Sequence, residues 1–142
     1  MSRILNIADA VVALLNGEVF DPPFVATREL VPTFDLSKVG DDPIVQIYPR
    51  GIVKTIASRS SSFFDVAIDI GLQRRIQADD PKCDVMFGLA EAIFDFLERK
   101  PLDALPSAQF RTSENEPAVF AEHLTKFQVF TSITTCAYRV TA

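Results

Sequence analysis

Between residues 63 and 76, apolar and polar side chains alternate with a period of two. Phe64, Val66, Ile68, Ile70 and Leu72 fall on one side of an extended chain, and Asp65, Ala67, Asp69, Gly71 and Gln73 on the other. That pattern predicts a strand with one face on a core and the other toward water or a partner. Ile52 to Ala57 predicts the outgoing strand, and the polar run Ser58-Arg59-Ser60-Ser61-Ser62 between the two predicts the tip of a long hairpin. Upstream, Gly40-Asp41-Asp42-Pro43 reads as a turn, and Ile44 to Tyr48 as a short strand stopped by Pro49-Arg50-Gly51. Phe24 to Phe34, with Val25, Thr27, Val31 and Thr33, reads as another strand. Pro32 lacks a ladder donor, which puts it at an edge or strand end.

Two segments carry the three-and-four spacing of amphipathic helices instead. Residues 3–16 place Ile4, Leu5, Ala8, Val11, Val12 and Leu15 on one stripe, with Ser2 as N-cap and Gly17 in the left-handed position past the end. Phe20-Asp21-Pro22-Pro23 then forces an extended exit. The second helix starts with Asp80 as cap and Pro81 at the first helical position. Its stripe is Val85, Met86, Leu89, Ala92, Ile93, Phe96 and Leu97, and Glu98-Arg99-Lys100-Pro101 ends it. Ala108 to Thr112 follows as a strand, then Ser113-Glu114-Asn115-Glu116-Pro117 as an acidic loop. Lys126 to Val140 contains neither Gly nor Pro and predicts a long strand covered on both faces, central in a sheet or at a subunit interface. The order α-β-β-β-β-α-β-β predicts one α+β domain over 1–142. It would be an antiparallel sheet with two helices on one face and a long hairpin.

At 142 residues, 48% hydrophobic and 23% charged, the chain can bury a core without disulfides or metal. No apolar run reaches the length of a membrane span, and Asn6 and Asp9 at helical spacing argue against a signal peptide. The net charge of −5, without any Lys/Arg-rich run, argues against a sequence-reading nucleic-acid binder. Cys83 and Cys136 stand apart with no further ligand nearby, which excludes a zinc knuckle. They are either free buried thiols, the favoured reading for a cytosolic protein, or a mutual disulfide.

Catalysis has little to work with. His123 is the only histidine, and no Gly-x-Ser-x-Gly elbow is present. Asp65 and Asp69 on one strand face would lie about 13 Å apart, beyond the roughly 5–9.5 Å of paired glycosidase carboxylates. The five glycines never cluster into a phosphate loop. Arg74-Arg75 reads as a solvated strand end more readily than as a phosphate site. No catalytic residue, cofactor or metal is expected. What remains is interaction surface: a serine-rich hairpin tip with Arg50, Lys54 and Arg59 nearby, and sheet edges whose backbone groups seek partners.

The whole order resembles the tail-terminator (tail-completion, minor tail) proteins of long-tailed phages. The resemblance runs through the helix Ile4 to Leu15, Leu30-Val31-Pro32-Thr33-Phe34, and Pro43-Ile44-Val45-Gln46-Ile47-Tyr48-Pro49. It continues through Phe64-Asp65-Val66-Ala67-Ile68-Asp69-Ile70, the helix Val85 to Leu97 and the Phe-rich strand Phe127 to Tyr138. It implies an α+β subunit of a hexameric ring that stops tube growth and presents a docking face to the head. Its partners would be further copies, the tail tube protein and the head–tail connector or neck protein. DNA would pass through the lumen without specific binding, in a virion tail assembled in the host cytoplasm and away from any membrane. The family offers no catalytic or cofactor residues. Its contacts lie on loops, which nominates Arg50, Lys54, Arg59, Ser60 and Ser61 of the 50–62 hairpin, and Arg111, Glu114 and Glu116 of the 111–118 loop. The alternatives are another neck or connector adaptor, or a small α+β hydrolase or ligand-binding domain using His123 with Asp69.

Overall fold

A computed structural model describes residues 2–30, 36–98 and 100–141. The N-terminal stripe forms α1 (Arg3–Asn16), and Ser2 caps it, its Oγ accepting the Leu5 N–H at 3.2 Å. Ile7, Ala8, Ala10, Val11 and Leu15 are buried. Gly17 ends the helix with φ −83° and ψ −8°, so the left-handed conformation expected of it is not used. Its N–H still reaches the Ala13 and Leu14 carbonyls, a bifurcated closure open to any residue. Asn16 then does what no pattern showed. Its side-chain amide donates to the Ala26 carbonyl at 3.0 Å and accepts the Ala26 N–H at 2.7 Å, so it stands in for a strand partner.

The strand expected over 24–34 forms only as β1 (Ala26–Arg28), and Pro32 lies outside the described residues. It pairs in parallel with β2 (Ile44–Ile56), so the sheet is mixed rather than wholly antiparallel. The connection through 29–43 is a crossover of the dozen or so residues that parallel strands need, not a hairpin. β2 is one strand where two were expected. Pro49-Arg50-Gly51 is absorbed as a bulge, with Pro49 opposite Ile68 and Gly51 opposite Ala67, leaving Arg50 without a ladder partner. Pro49 is tolerated because β1 has already ended at this height.

β2 turns through 57–61 into β3 (Ser62–Arg75). The tip is tied down by the Ala57 and Ser58 N–H groups, both donating to the Ser61 carbonyl. α2 (Lys82–Leu97) begins one residue later than expected, with Pro81 at the N-cap in helical conformation (φ −57°, ψ −20°), and Asp80 Oδ1 accepts the Lys82 N–H at 2.9 Å. Its buried stripe is Cys83, Met86, Leu89, Ala90, Ile93 and Leu97, whereas Val85 and Ala92 are exposed. The helix is therefore rotated from the expected face onto a 3-4-3-4 spacing running from Cys83 to Leu97. β4 (Gln109–Glu114) runs two residues past the strand expected to end at Thr112, taking in Ser113 and Glu114 of the expected acidic loop. α3 (Ala121–Phe127) was not expected at all, and Gln128, at φ 57°, turns the chain from it into β5 (Val129–Thr141).

The five strands lie in the order β1-β2-β3-β5-β4, and the fold is α+β. Val66, Ile68, Ile70 and Leu72 of β3 share one core with Val45, Ile47, Phe130, Cys136 and Tyr138 beside them and with α1 and α2 above. The other set of β3 side chains points to the second face. There α3 covers one end, over the buried pair Gln73 and Thr131. The Tyr48 ring lies against Gly71, where an added Cβ would come within 3.1 Å of it.

Candidate functional site

Beyond α3 the second sheet face is polar and open. Asp65 and Asp69, on one face of β3, are both paired by the β3–β5 register. Arg139, directly opposite Asp65, forks onto it with Nε at 2.8 Å and Nη2 at 3.0 Å. Those hydrogen bonds hold the Asp65 carboxyl below the usual carboxylate range, against a smaller opposing effect of burial. Asp69 accepts from Thr135 Oγ1 at 2.6 Å and from Arg50 Nη1 at 3.1 Å.

Asp69 and Arg50 form one margin of a cleft of about 200 Å³ whose other margin is Glu114, Glu116, Pro117 and Phe120, over a floor of Ile133 and Thr135. Asn115, between the two glutamates, pins this corner to β5. Its Nδ2 lies 2.9 Å from Ser132 Oγ, 3.0 Å from the Ile133 carbonyl and 3.1 Å from Thr134 Oγ1. The structure thus brings together three of the nominated residues, Arg50, Glu114 and Glu116. Arg111 does not join them. It is the bulged residue of β4, between Phe110 and Thr112, and lines a separate hollow with Phe94 and Glu98.

Lys54, Arg59, Ser60 and Ser61 sit on the hairpin arm. Ile52, Val53 and Ile56 of this arm are 45%, 64% and 75% exposed, an unusual display of large apolar side chains on one short segment. From Pro49 to Ile56 the outer edge of β2 meets no strand among the described residues. Lys54 and Arg3 both approach the Phe64 ring, at 5.7 and 3.9 Å from its centroid.

The groups considered for chemistry are engaged elsewhere. His123 Nδ1 is hydrogen-bonded to Thr131 Oγ1 at 2.9 Å, and Phe120 and Phe127 stand edge-on to its ring. Asp69, its supposed partner, is held by Arg50 and Thr135 instead. Cys83 and Cys136 are free and buried, and desolvation raises both thiols, Cys136 to about 12. Among the described residues no group of three or more His, Cys, Asp or Glu is placed to hold a metal, and no helix is long and apolar enough to cross a membrane.

Arg75 is not a solvated strand end. Its guanidinium donates to the carbonyls of Val39 at 2.8 Å, Leu36 at 2.6 Å and Phe127 at 3.4 Å, bracing the crossover and α3 against β3. Arg74 Nε donates to the Asp41 carbonyl at 2.7 Å. No pattern in the sequence marks these clamps, because their acceptors are backbone carbonyls brought close only by the fold. Compared with known proteins, the chain matches no family model and no curated relative.

Proposed function

We propose that this chain is a structural virion protein, a ring-forming subunit that terminates the tail tube of a phage-type tail and offers the docking surface for the head connector. The observation that carries the reading is the hairpin arm. It runs past β1 with an outer edge that meets no strand among the described residues and with exposed Ile52, Val53 and Ile56, as expected of a surface that is covered in an assembly. The resemblance in element order supports the same assignment and supplies the expectation of six subunits.

The mechanism is surface complementarity. One face of the ring matches the last tube layer and binds it, and the other presents no tube-like surface, so growth stops there. Arg59 and the serine tip contact a neighbouring subunit or the tube. The net charge of −5 suits a lumen through which DNA slides without adhering, since like charges repel. The virion tail, assembled in the host cytoplasm, is the implied location. The polar cleft between Arg50 and Glu114 supports a contact role for that face.

The test is polymerisation of the cognate tail tube protein with and without this chain. Tubes should shorten and carry one cap at a single end as the chain is titrated in. Unchanged tube lengths and bare ends at excess chain would contradict terminator function. A chain that binds connector protein but not tube would favour the neck-adaptor alternative.

A further inference from the structure

We infer that neighbouring copies join head to tail by continuing the sheet, β4 of one copy running antiparallel along the outer edge of β2 in the next. This rests on the ring reading above and adds to it the seam and its register. The sheet has two margins. One is β4 along its whole length. At the other, β1 covers only Val45 to Ile47, and the Glu29 N–H adds one bond to the Ile47 carbonyl, leaving β2 open from Pro49 outward among the described residues.

Following the cross-strand partners shows that the two open edges stand at the same height. Gln109 lies opposite Arg139, Arg139 opposite Asp65, and Asp65 opposite Val53. By the same steps Phe110 is level with Ile52, and Glu114 with Tyr48. A second copy displaced sideways, without sliding along the strands, therefore sets its open β2 edge against β4. The directions agree too. Three successive antiparallel pairings make β4 antiparallel to β2, so the seam repeats the geometry inside the sheet. The pleat is also in phase, with Phe110 and Ile52 on the core face and Gln109 and Val53 on the second face.

Side chains favour this seam over the edge of β2 pairing with itself. Between residues 43 and 64 there is no Asp or Glu, while Arg50, Lys54 and Arg59 all lie there. A symmetric β2–β2 contact would set these cations against one another. The β4 end instead carries Glu114, level with the neighbour's Tyr48 and two residues from its Arg50, and Glu116 follows just past the strand. Exposed Ile52 and Val53 gain cover from Phe110 and its neighbours. Pro49, with no N–H to donate, and the bulge at Arg50 confine regular pairing to Gly51, Ile52 and Val53, level with Thr112, Phe110 and Gln109. A contact between two different edges is heterologous, and such contacts close into a ring when the rotation per copy divides a full turn.

The experiment is cross-linking of the full chain carrying Val53→Cys and Gln109→Cys. Both positions are exposed and on the second face, and the native thiols are buried. The bis-maleimide chosen is too short to join the two within one chain, where three strand spacings separate them by about 14 Å. The double variant should give a ladder of multimers up to the full ring, and each single variant should stay at monomer mass on a denaturing gel. Dimers from Val53→Cys alone would overturn the seam in favour of β2 pairing with itself. Rings seen by native mass spectrometry with no ladder would overturn the seam and leave the ring reading standing. A chain that stays monomeric even with tube protein would overturn both.

Discussion

Taking one oxygen atom out of the core should make this protein more stable. Tyr138 is 0% exposed and packs edge-on against Phe110, with ring centroids 5.8 Å apart. Its hydroxyl has no hydrogen-bond partner among the described residues. An unbonded hydroxyl held away from water costs about 1–3 kcal/mol. Tyr138→Phe keeps the ring and opens a void on the order of 10 Å³, which costs about 0.2 kcal/mol at roughly 24 cal/mol per Å³. The balance is a gain of about 0.8–2.8 kcal/mol. In urea, with a slope of about 2 kcal/mol/M, the midpoint should rise by roughly 0.4–1.4 M without a change of slope. Burial also pushes the phenol above its ordinary value, and the neighbouring Cys136 adds to this. With its folded value raised, the contribution of this group is intact below about pH 10 and is lost as pH climbs through the folded value, so Tyr138→Phe should also flatten the alkaline fall in stability. Tyr48→Phe is the contrasting control. Its hydroxyl donates to Gln46 Oε1, so its loss should lower the midpoint by about 0.5 M. A Tyr138→Phe variant that loses stability as Tyr48→Phe does would refute the reasoning.

Arg75→Ala should lose about 2 kcal/mol in thermal or urea melts, because three carbonyls lose a charged donor, and Arg75→Lys should not restore it, since one ammonium cannot serve three directions. Full stability in Arg75→Lys would contradict the clamp. The folded pKa of Asp65 is lowered, so its contribution is present above about pH 4 and disappears as pH falls through the folded value; Asp65→Asn should be less stable than wild type at pH 7 and converge with it in acid. A constant gap down to pH 2 would count against this. Replacing residues 58–62 by a short turn should leave the fold intact by circular dichroism yet abolish assembly of tailed particles, and normal particle yield would remove the tip from the interface. His123→Ala should cost about 1 kcal/mol through the lost Thr131 bond and leave assembly unchanged; loss of assembly at full stability would reopen a functional role for the imidazole.

What could be read from the sequence is what local chemistry decides. The alternation from Phe64 to Gln73 and the Asp80-Pro81 start of α2 need no distant partner to be recognised; the alternation stands as expected, and the helix starts at Lys82, one residue past Pro81. Pro49-Arg50-Gly51 looks like a stop because each residue is a turn former. β1 ends at the height of Ile47, and with no further strand on that edge among the described residues a bulge absorbs the three and β2 runs on. α3 was hidden for a related reason. Seven residues hold a helix poorly alone, and this one is fastened from outside, by Thr131 on His123 and Arg75 on the Phe127 carbonyl. The nominated residues divide in the same way. Arg50, Glu114 and Glu116 are far apart in sequence and meet across one sheet face, whereas Arg111 is carried to another hollow by a single bulge. The ion pair of Asp65 with Arg139 and the contact of Asp69 with Thr135 depend on the β3–β5 register, which no single segment encodes.

Ring formation is the claim on which the rest depends. The most direct measurement is native mass spectrometry of the purified chain over a concentration series, with negative-stain images of the same samples, alone and with tube protein. The account predicts one closed species of several subunits, imaged as a ring with a central hole wide enough for duplex DNA. A monomer at every concentration, with tube protein present as well as absent, would contradict it.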